Sequence, residues 1–496
     1  MLTRFKVDGF KNLDGVDVRF GPFTCVAGPN GVGKSNLFDA IAFLGALADK
    51  SLIEAAAAVR GAEGRVGDVR SLFRNAGGRR AREMSFLVEM IIPKTGKDDL
   101  GSAAEASMTF LRYEVRLLHR EDESTPGPLE VVYESMEHIN KTGADAVVGF
   151  PHSPAWRDSV IDGRRTVPYI ETTTEDGKTI VLTRADSKGG FGGGGPRKLL
   201  AANMPRTVLS TANNAAEHRT LVLARREMMG WTQFQLEPSA LRSPDPFNAP
   251  RRIASNGAHL AATLFGLAQE AKKSGEGTPE DIYQSVANRL AALFENVRTL
   301  RVDVDEKREL YAILLTDLQR SDHLASSLSD GTLRVLALAI LEASAHGPSL
   351  LCLEEPENGI HPDRIPAMIE LLQDLAVDVG HAAGPRNPMR QVIVNTHSPS
   401  VVACVPQDAL ILADATEQNR DGKRERPLLL RGLPDTWRMM EDKEKKQASL
   451  APVLSYLSPA AMRPSLRPRN KSERRVIDRA DIRQLGLFDV KPAEDA

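Results

Sequence analysis

Residues 28–35 read Gly-Pro-Asn-Gly-Val-Gly-Lys-Ser, between an apolar run at 23–27 and a helical pattern that starts at residue 36. A strand, a glycine-rich turn and a Lys-Ser pair that opens a helix form the arrangement in which backbone N–H groups surround nucleotide phosphates. The alternative is a chance glycine-rich turn, which the eight-residue spacing and the strand–helix context both disfavour. The stretch therefore predicts a nucleoside triphosphate site.

Within this phosphate loop each residue type has a physical role. Gly31 and Gly33 allow close approach of the backbone and unusual dihedral angles. Lys34 is long enough to reach the β- and γ-phosphates, and the hydroxyl of Ser35 can ligate Mg²⁺. The predicted nucleotide-binding residues of the loop are Asn30, Gly31, Gly33, Lys34, Ser35 and Asn36.

Composition sets limits on the class of protein. The 496 residues are 42% hydrophobic and 26% charged, as in ordinary soluble globular proteins, and suffice for two to four domains. A net charge of −2 gives no global bias towards nucleic acid or membrane. Cys25, Cys352 and Cys404 lie far apart in apolar runs, which favours buried thiols in a reducing cytoplasm over disulfides or zinc sites. No apolar stretch is long enough to span a bilayer, and the N-terminus alternates like a strand rather than a signal peptide.

The pattern along the chain predicts an α/β protein. Alternating segments such as 108–119 are typical of antiparallel strands with one wet face, whereas strands alternate with helices after residue 300, which indicates a mostly parallel sheet. The predicted domains are an ATPase lobe with the phosphate loop (1–92), an antiparallel β subdomain (93–188), a glycine-rich linker with a helical insertion (189–297), a second ATPase lobe (298–415) and a C-terminal extension with a basic tail (416–496).

Two carboxylates end the apolar strand predicted at 349–353. Because the carboxyl ends of parallel strands face the ligand crevice, we expect Glu354 to lie near Mg²⁺ and Glu355 to orient and deprotonate the attacking water. The alternative is that the two acids are merely solvated at the end of a core strand, and the phosphate loop upstream disfavours it.

The stretch Leu-Ser-Asp-Gly-Thr at 328–332 opens a helix with an apolar face. Ser329 and Gly331 at such a helix start can bind an anion through N–H groups, a hydroxyl and the helix dipole. A plain N-cap by Ser329 or Asp330 is the alternative for this motif taken alone.

A second apolar strand ends in polar residues at 395–398. His397 is placed to contact the γ-phosphate, with Asn395 and Thr396 supporting it. A lone histidine at a strand end is otherwise a surface or capping residue.

Taken in order, the four stretches resemble the ABC-type ATPase heads of the SMC and RecF kind. They look most like the compact AAA-domain ATPases of the overcoming-lysogenization-defect (OLD) nucleases and related prokaryotic phage-defence systems. The resemblance covers about residues 1–92 and 298–415. It implies an ABC-ATPase head, in which a mostly parallel sheet with flanking helices is joined by an antiparallel β subdomain and an inserted helical region.

By this resemblance the chain binds ATP and Mg²⁺, and two heads sandwich two ATP molecules. The signature motif of one head then closes on the nucleotide of the other, so that hydrolysis releases or reshapes the dimer. The implied assignments are Lys34 and Ser35 in Walker A, Glu354 and Glu355 in Walker B, Ser329 and Gly331 in the signature, His397 as the switch histidine, Asn358 and His361 in the dimer-facing loop, Glu355, His397 and Lys34 as catalytic residues, and Ser35 and Glu354 as metal ligands.

The chain departs from the ABC pattern in three respects. Glu354 stands where most ABC proteins have Asp, although the Glu-Glu-Pro-Glu-Asn-Gly sequence also occurs in the compact defence-type branch. The glutamine of the usual Q-loop is not assignable from the sequence. The stretch between Walker A and the signature also lacks the long coiled-coil arms of SMC proteins.

Two arginine-rich stretches are candidate DNA or RNA surfaces, with solvated faces paired to nearby acids as the alternative. No nuclease signature is apparent, and the sequence after His397 lacks the acidic cluster of the TOPRIM domain of OLD proteins. The stretches comprise Arg60, Arg65, Arg70, Arg74, Arg79, Arg80 and Arg82, and then Arg463, Arg467, Arg469, Lys471, Arg474, Arg475, Arg479 and Arg483.

The sequence thus predicts an ATP-driven sensor or regulatory subunit of a prokaryotic anti-phage defence complex that controls a separate effector, such as a nuclease or toxin. A RecF-like DNA-repair ATPase that loads on DNA is the main alternative. A transporter ATPase is the weakest, because such proteins have a short insertion after Walker A and a clear Q-loop.

Overall fold

The computed structural model describes residues 1–59, 69–76, 79–120, 128–184, 186, 196–275, 277–344, 347–415, 418–420 and 423–440. Arg60, Arg65, most of the glycine-rich stretch near residue 190 and the whole C-terminal arginine cluster lie outside these ranges.

The strands of the described chain are β1 (Leu2–Asp8), β2 (Val16–Arg19), β3 (Phe23–Ala27), β4 (Asn75–Ala76), β5 (Arg79–Arg80), β6 (Glu83–Ile91), β7 (Thr95–Lys97), β8 (Ala103–Glu105), β9 (Phe110–His119), β10 (Leu129–His138), β11 (Ile170–Glu175), β12 (Lys178–Thr183), β13 (Arg197–Leu200), β14 (Trp231–Phe234), β15 (Asp245–Pro246), β16 (Val297–Asp305), β17 (Leu310–Asp317), β18 (Asp322–Leu324), β19 (Leu350–Glu354), β20 (Gln391–Thr396), β21 (Leu410–Ala415), β22 (Gln418–Arg420), β23 (Lys423–Glu425) and β24 (Leu428–Gly432).

The α-helices are α1 (Lys34–Leu47), α2 (Leu52–Ala57), α3 (Ala144–Val148), α4 (Pro154–Val160), α5 (Ala215–Met229), α6 (Pro238–Arg242), α7 (Leu260–Ser274), α8 (Pro279–Ala291), α9 (Asp330–Ala343), α10 (Ile365–Asp374), α11 (Pro399–Cys404) and α12 (Trp437–Met440). Among the described residues, every helix is too short or too polar to cross a lipid bilayer.

A six-stranded sheet forms the centre of the molecule, in the order β14-β19-β20-β3-β21-β24. Its first five strands are parallel, and β24 is antiparallel to β21. The strands β3 and β20 are buried at every position, as expected for parallel strands covered on both faces. Because β3, β19 and β20 run in one direction, the phosphate loop after β3 lies at the same edge of the sheet as Glu354 and Thr396, the last residues of β19 and β20.

An eight-stranded antiparallel sheet lies beside it, in the order β13-β12-β11-β10-β9-β6-β1-β2. The rings of Phe10, Phe43 and Phe86 lie 5.7–5.8 Å apart and pack α1 against this sheet. The α/β class with an antiparallel β subdomain is therefore confirmed. The boundary predicted at residue 92 falls inside this sheet, since β1, β2 and β6 precede that residue.

The helices α7, α8 and α9 pack around a small antiparallel sheet of β15 to β18. Arg289 on α8 bonds Glu342 on α9, with Nε to Oε2 at 2.7 Å, and Asp374 on α10 at 2.9 Å. The Leu-Ser-Asp-Gly-Thr motif stands at the start of α9, in the predicted second lobe (298–415), and the helices α7 and α8 of the predicted insertion pack near α9.

Candidate nucleotide-binding site

The phosphate loop connects β3 to α1 through backbone that requires glycine. Gly33 is the N-cap of α1 and has a φ of 109°, in the left-handed region. A Cβ atom at this position would lie 2.3 Å from Nδ2 of Asn12. The loop itself is open to solvent at Asn30 and Gly31, with Ser35 and Asn36 half-buried on the first turn of α1. The exposed N–H groups of this turn therefore present an anion-binding surface at a helix start.

Lys34 is buried beneath the loop. Its Nζ donates to the carbonyl oxygens of Gly28 at 2.6 Å and Pro29 at 2.8 Å. Burial lowers the pKa of Lys34, although the nearby carboxylates, Glu355 foremost, act in the opposite direction. The ammonium group is thus held at the loop within the electrostatic field of the carboxylates at the sheet edge.

Asn12 is a contact of the loop that the sequence did not reveal. It lies between β1 and β2, and its Nδ2 donates to the carbonyl of Val32 at 2.9 Å. Its Oδ1 accepts from Nδ2 of Asn36 at 2.8 Å. Asn12 therefore joins the phosphate loop to the first turn of α1 by two hydrogen bonds. No local pattern signals this role, because the contact depends on how the two sheets meet.

Replacing Asn12 with Ala is expected to weaken ATP binding by roughly tenfold, since two hydrogen bonds of about 0.5–1.5 kcal/mol each fix the loop. A titration with a fluorescent ATP analogue measures this change. Asn140→Ala is a matched control, because Asn140 lies in the antiparallel subdomain, where its Oδ1 accepts a hydrogen bond from the N–H of Arg165 at 3.2 Å. If Asn12→Ala binds as tightly as the control, Asn12 has no part in shaping the loop.

Glu354 ends β19 at the predicted metal side of the site. Nε2 of Gln233 donates to its Oε1 at 2.8 Å, from the neighbouring parallel strand β14. The sequence pattern around Gln233 predicts a helical insertion, whereas the structure places this residue on the short strand β14.

The donor set suits Mg²⁺. Ser35, Glu354 and Gln233 offer a hydroxyl, a carboxylate and an amide oxygen, and a hard cation prefers oxygen ligands. Within the described ranges no cluster of three or more His, Cys, Asp or Glu side chains forms a cage for a metal. A cation bound by one or two protein groups completes its coordination with water and phosphate oxygens, as Mg²⁺ does in nucleotide sites.

Glu355 has a backbone φ of 43°, which is uncommon for a residue with a side chain and marks a strained position. Its N–H donates to the carbonyl and the side-chain oxygen of Asn395, each at 3.1 Å. Its Oε2 accepts from Nδ2 of Asn358 at 2.9 Å, and its Oε1 lies 2.7 Å from Nδ1 of His397. Neighbouring groups thus hold the carboxylate from two sides.

Burial raises the pKa of Glu355, but the hydrogen bonds from Asn358 and His397 and the charges of His397 and Lys34 together outweigh burial and hold that pKa below its usual value. The carboxylate is therefore ionised at neutral pH, as a proton acceptor must be. Glu355 and His397, both predicted as catalytic residues, are in direct contact. The negative charge of Glu355 also acts to raise the pKa of Lys34.

Glu357 is a third acidic residue that the sequence did not single out. It is 7% exposed, and its Oε1 accepts from the hydroxyl of Thr396. That hydroxyl in turn accepts from the N–H of Ser398 at 2.9 Å. Burial raises the pKa of Glu357. The contact ties the turn after β19 to the loop that carries His397.

The signature residues Ser329 and Gly331 have different surroundings. Ser329 is exposed and caps α9, accepting from the N–H of Thr332 at 3.2 Å, so the N-cap geometry is present. Gly331 is buried, and a Cβ there would lie 2.4 Å from the carbonyl oxygen of Gly359. The side chain of Ser329 is therefore exposed to solvent, whereas the absence of a side chain at Gly331 allows α9 to approach the turn after β19. Arg242 supports the motif by donating to the carbonyl of Leu328 at 3.1 Å.

The remaining predicted residues lie around this centre. Asn358 and His361 are exposed in the turn after β19, and this turn contacts the N-terminus of α9. In the first arginine-rich stretch, Arg74 pairs with Asp14 at 2.9 Å, and Arg70 and Arg82 also have partners. Arg79 and Arg80 are exposed on the short strand β5.

A comparison with models of known protein families identifies a family for this chain. The model of a family described as "AAA domain, putative AbiEii toxin, Type IV TA system" matches residues 23–82 and 197–403, more than half of the chain. No curated protein matches the chain.

Three solved structures are similar. The SmcHead bound to the C-winged helix domain of ScpA is 14% identical, with a TM-score of 0.45 over 86% of this chain and 98% of that one. The Smc head with an extended coiled coil bound to the C-terminal domain of ScpA from Pyrococcus furiosus is 12% identical, with a TM-score of 0.40 over 90% and 99%. The SMC head from Thermotoga maritima is 12% identical, with a TM-score of 0.32 over 87% and 98%.

Proposed function

This chain belongs to the AAA-domain family whose model it matches, and from that premise we propose that it binds and hydrolyses ATP as a cytoplasmic regulatory subunit of a prokaryotic anti-phage defence complex. In this role it controls a separate effector, a nuclease or toxin. The observation that carries the ATPase proposal is that the phosphate loop after β3 brings Lys34 to the same edge of the parallel sheet as Glu354 and Glu355, which lie at the end of β19.

In this proposal each residue has its own role in ATP hydrolysis. The loop N–H groups and Lys34 bind the β- and γ-phosphates, and Glu355 accepts the proton of the attacking water. His397, held against Glu355, orients that carboxylate and contacts the γ-phosphate. Ser35 and Glu354 would hold Mg²⁺, with Gln233 fixing the orientation of Glu354. The cation, when bound, neutralises phosphate charge in the transition state.

We further propose that two copies sandwich two ATP molecules. Ser329 supports this, because it is exposed at the N-terminus of α9, where the helix dipole favours an anion. The γ-phosphate of one copy would then be contacted by Ser329 of the other. Binding energy between the copies is available only while that phosphate is present, so hydrolysis changes the assembly.

Ser329→Asp tests the sandwich while preserving the fold, since Asp is as good an N-cap as Ser. We expect it to lower ATP hydrolysis by roughly tenfold or more, because a negative charge against a triphosphate in a closed interface costs several kcal/mol. Binding of a fluorescent nucleotide to the chain's own loop stays unchanged. Ser329→Asn, which keeps the cap without the charge, retains most activity. Equal activity of the two variants would remove Ser329 from the interface.

The family description names a toxin of a type IV toxin–antitoxin system and no separate effector, so the proposed control of an effector rests on the sequence of this chain. A chain that carries an ATPase site and no recognisable nuclease motif suits a subunit that controls another protein. Co-expression with the adjacent genes, followed by mass measurement of the purified complex, tests this directly. A co-purifying nuclease or toxin supports the proposal.

The alternative of a RecF-like repair ATPase is favoured by the exposed side chains of Arg79 and Arg80, which are available for phosphate contacts. It predicts ATP hydrolysis that DNA stimulates in the absence of any partner protein. Such stimulation, lost at high salt, would replace the defence proposal with this one.

A further inference from the structure

Two side chains of opposite charge beside the site each have a buried atom without a partner. They are Nε of Arg334, on α9, and Oε2 of Glu357, in the Walker B turn (residues 355–360). Neither atom has a hydrogen-bond partner among the described residues. A buried polar atom left unpaired is costly, and the cost is higher for charged groups. Such atoms in a candidate active site need a physical explanation.

The two elements that carry these groups are in contact. Gly331 on α9 approaches the carbonyl of Gly359 so closely that a Cβ atom would lie 2.4 Å from it. Gly359 has a φ of 80°, which shapes the Walker B turn at this point, and the N–H of Ile360 bonds the carbonyl of Glu357 at 3.0 Å. Arg334 follows Gly331 by one helical turn, so it lies on the same face of α9.

Electrostatic interactions connect the two groups. Burial lowers the pKa of Arg334, and the charges of Asp330, Glu357 and Glu355 act against that effect. Asp330 already has a cationic partner in Arg242. Glu355 already has hydrogen bonds from Asn358 and a contact with His397. Glu357 is therefore the acid near Arg334 that has an oxygen still to be satisfied.

We propose that Arg334 and Glu357 are positioning residues for ATP hydrolysis, whose unpaired atoms join as an ion pair when a second copy docks against Ser329 and the two side chains rearrange across the existing contact between α9 and the Walker B turn. The inference rests on the proposed two-copy ATPase. Glu357 bonds Thr396, the residue before His397, and lies two residues after Glu355. The pair thus transmits docking at the start of α9 to both groups that act on the attacking water.

The test is a double-mutant cycle of Arg334→Gln, Glu357→Gln and the double variant. Each variant is measured for ATP hydrolysis at saturating ATP, for binding of a fluorescent ATP analogue and for thermal unfolding. We expect each single variant to lower the hydrolysis rate by about tenfold without changing nucleotide affinity, and the double variant to be no slower than either. Arg334→Lys, which keeps the charge, restores part of the rate.

Glu342→Gln is the matched control, because it breaks the ion pair with Arg289 at the far end of the same helix. It should leave hydrolysis unchanged. The proposal is overturned if the two single losses multiply in the double variant, or if either single variant hydrolyses ATP like the wild type.

Two further results are distinguishable from these. If a Gln variant fails to unfold cooperatively, the charge-keeping variants Arg334→Lys and Glu357→Asp replace it in the test. Loss of all ATP hydrolysis in both of these variants, while they remain folded, contradicts a simple ion pair. A wild-type protein that hydrolyses no ATP overturns the proposed function, and this inference with it.

Discussion

Glu355→Gln is expected to lower ATP hydrolysis by on the order of 10²-fold or more, the scale of a lost general base. The amide has nearly the same shape as the carboxylate and can still accept the hydrogen bond from Asn358. It cannot take a proton from water, however. Because the loop and Lys34 are untouched, ATP binding should be unchanged, so the loss appears in kcat rather than in affinity.

A phosphate-release assay measures the rate, and a fluorescent-nucleotide titration measures binding. Glu130→Gln is a suitable control, because Glu130 pairs with Arg120 in the antiparallel subdomain, away from the site. A Glu355→Gln protein that hydrolyses ATP at the wild-type rate would remove Glu355 from the role of general base.

Lys34→Ala is expected to abolish nucleotide binding. The side chain supplies the cation closest to the phosphate loop, and its Nζ also bonds the carbonyls of Gly28 and Pro29, which hold the loop in shape. Both the charge and the loop geometry are lost together. Titration of a fluorescent ATP analogue should then show no saturable binding at concentrations that saturate the wild type.

Lys198→Ala is the matched control, since Lys198 is an exposed lysine paired with Glu175 on the antiparallel sheet. It should bind like the wild type. Saturable binding of ATP by Lys34→Ala with near-normal affinity would mean that the phosphates bind elsewhere.

The central sheet and the motifs at its edge could be predicted from the sequence. The reason is local: β3, β19 and β20 each contain a mainly apolar run, which leads into the glycine-rich loop after β3 and into polar residues at the ends of β19 and β20. A buried parallel strand and the chemistry at its end are therefore encoded in adjacent residues. The sequence alone therefore predicts Lys34, Glu355 and His397 as site residues.

The supporting residues could not be predicted in this way. Asn12 contacts the phosphate loop from 20 residues away in sequence, and Gln233 contacts Glu354 across 121 residues. The strand that carries Gln233 has only four residues, too few for a periodic pattern to distinguish it from the helices on either side. Glu357 is recognisable only by its burial, which depends on how the loop of His397 folds over it.

The domain boundary at residue 92 illustrates a different limit. Strands β1 and β6 alternate like any half-buried strand, and nothing in them specifies which sheet they join. They pair with each other, and β6 also pairs with β9, so the antiparallel sheet extends on both sides of the phosphate loop in sequence.

The most direct test of the account is the mass of Glu355→Gln in solution, measured with ATP and again with ADP. If ATP is shared between the Lys34 loop of one copy and the Ser329 helix of another, the variant accumulates as a two-copy complex in ATP and separates in ADP. A mass that is the same in both nucleotides, although binding of each is saturated, would contradict the sandwich on which the proposed function depends.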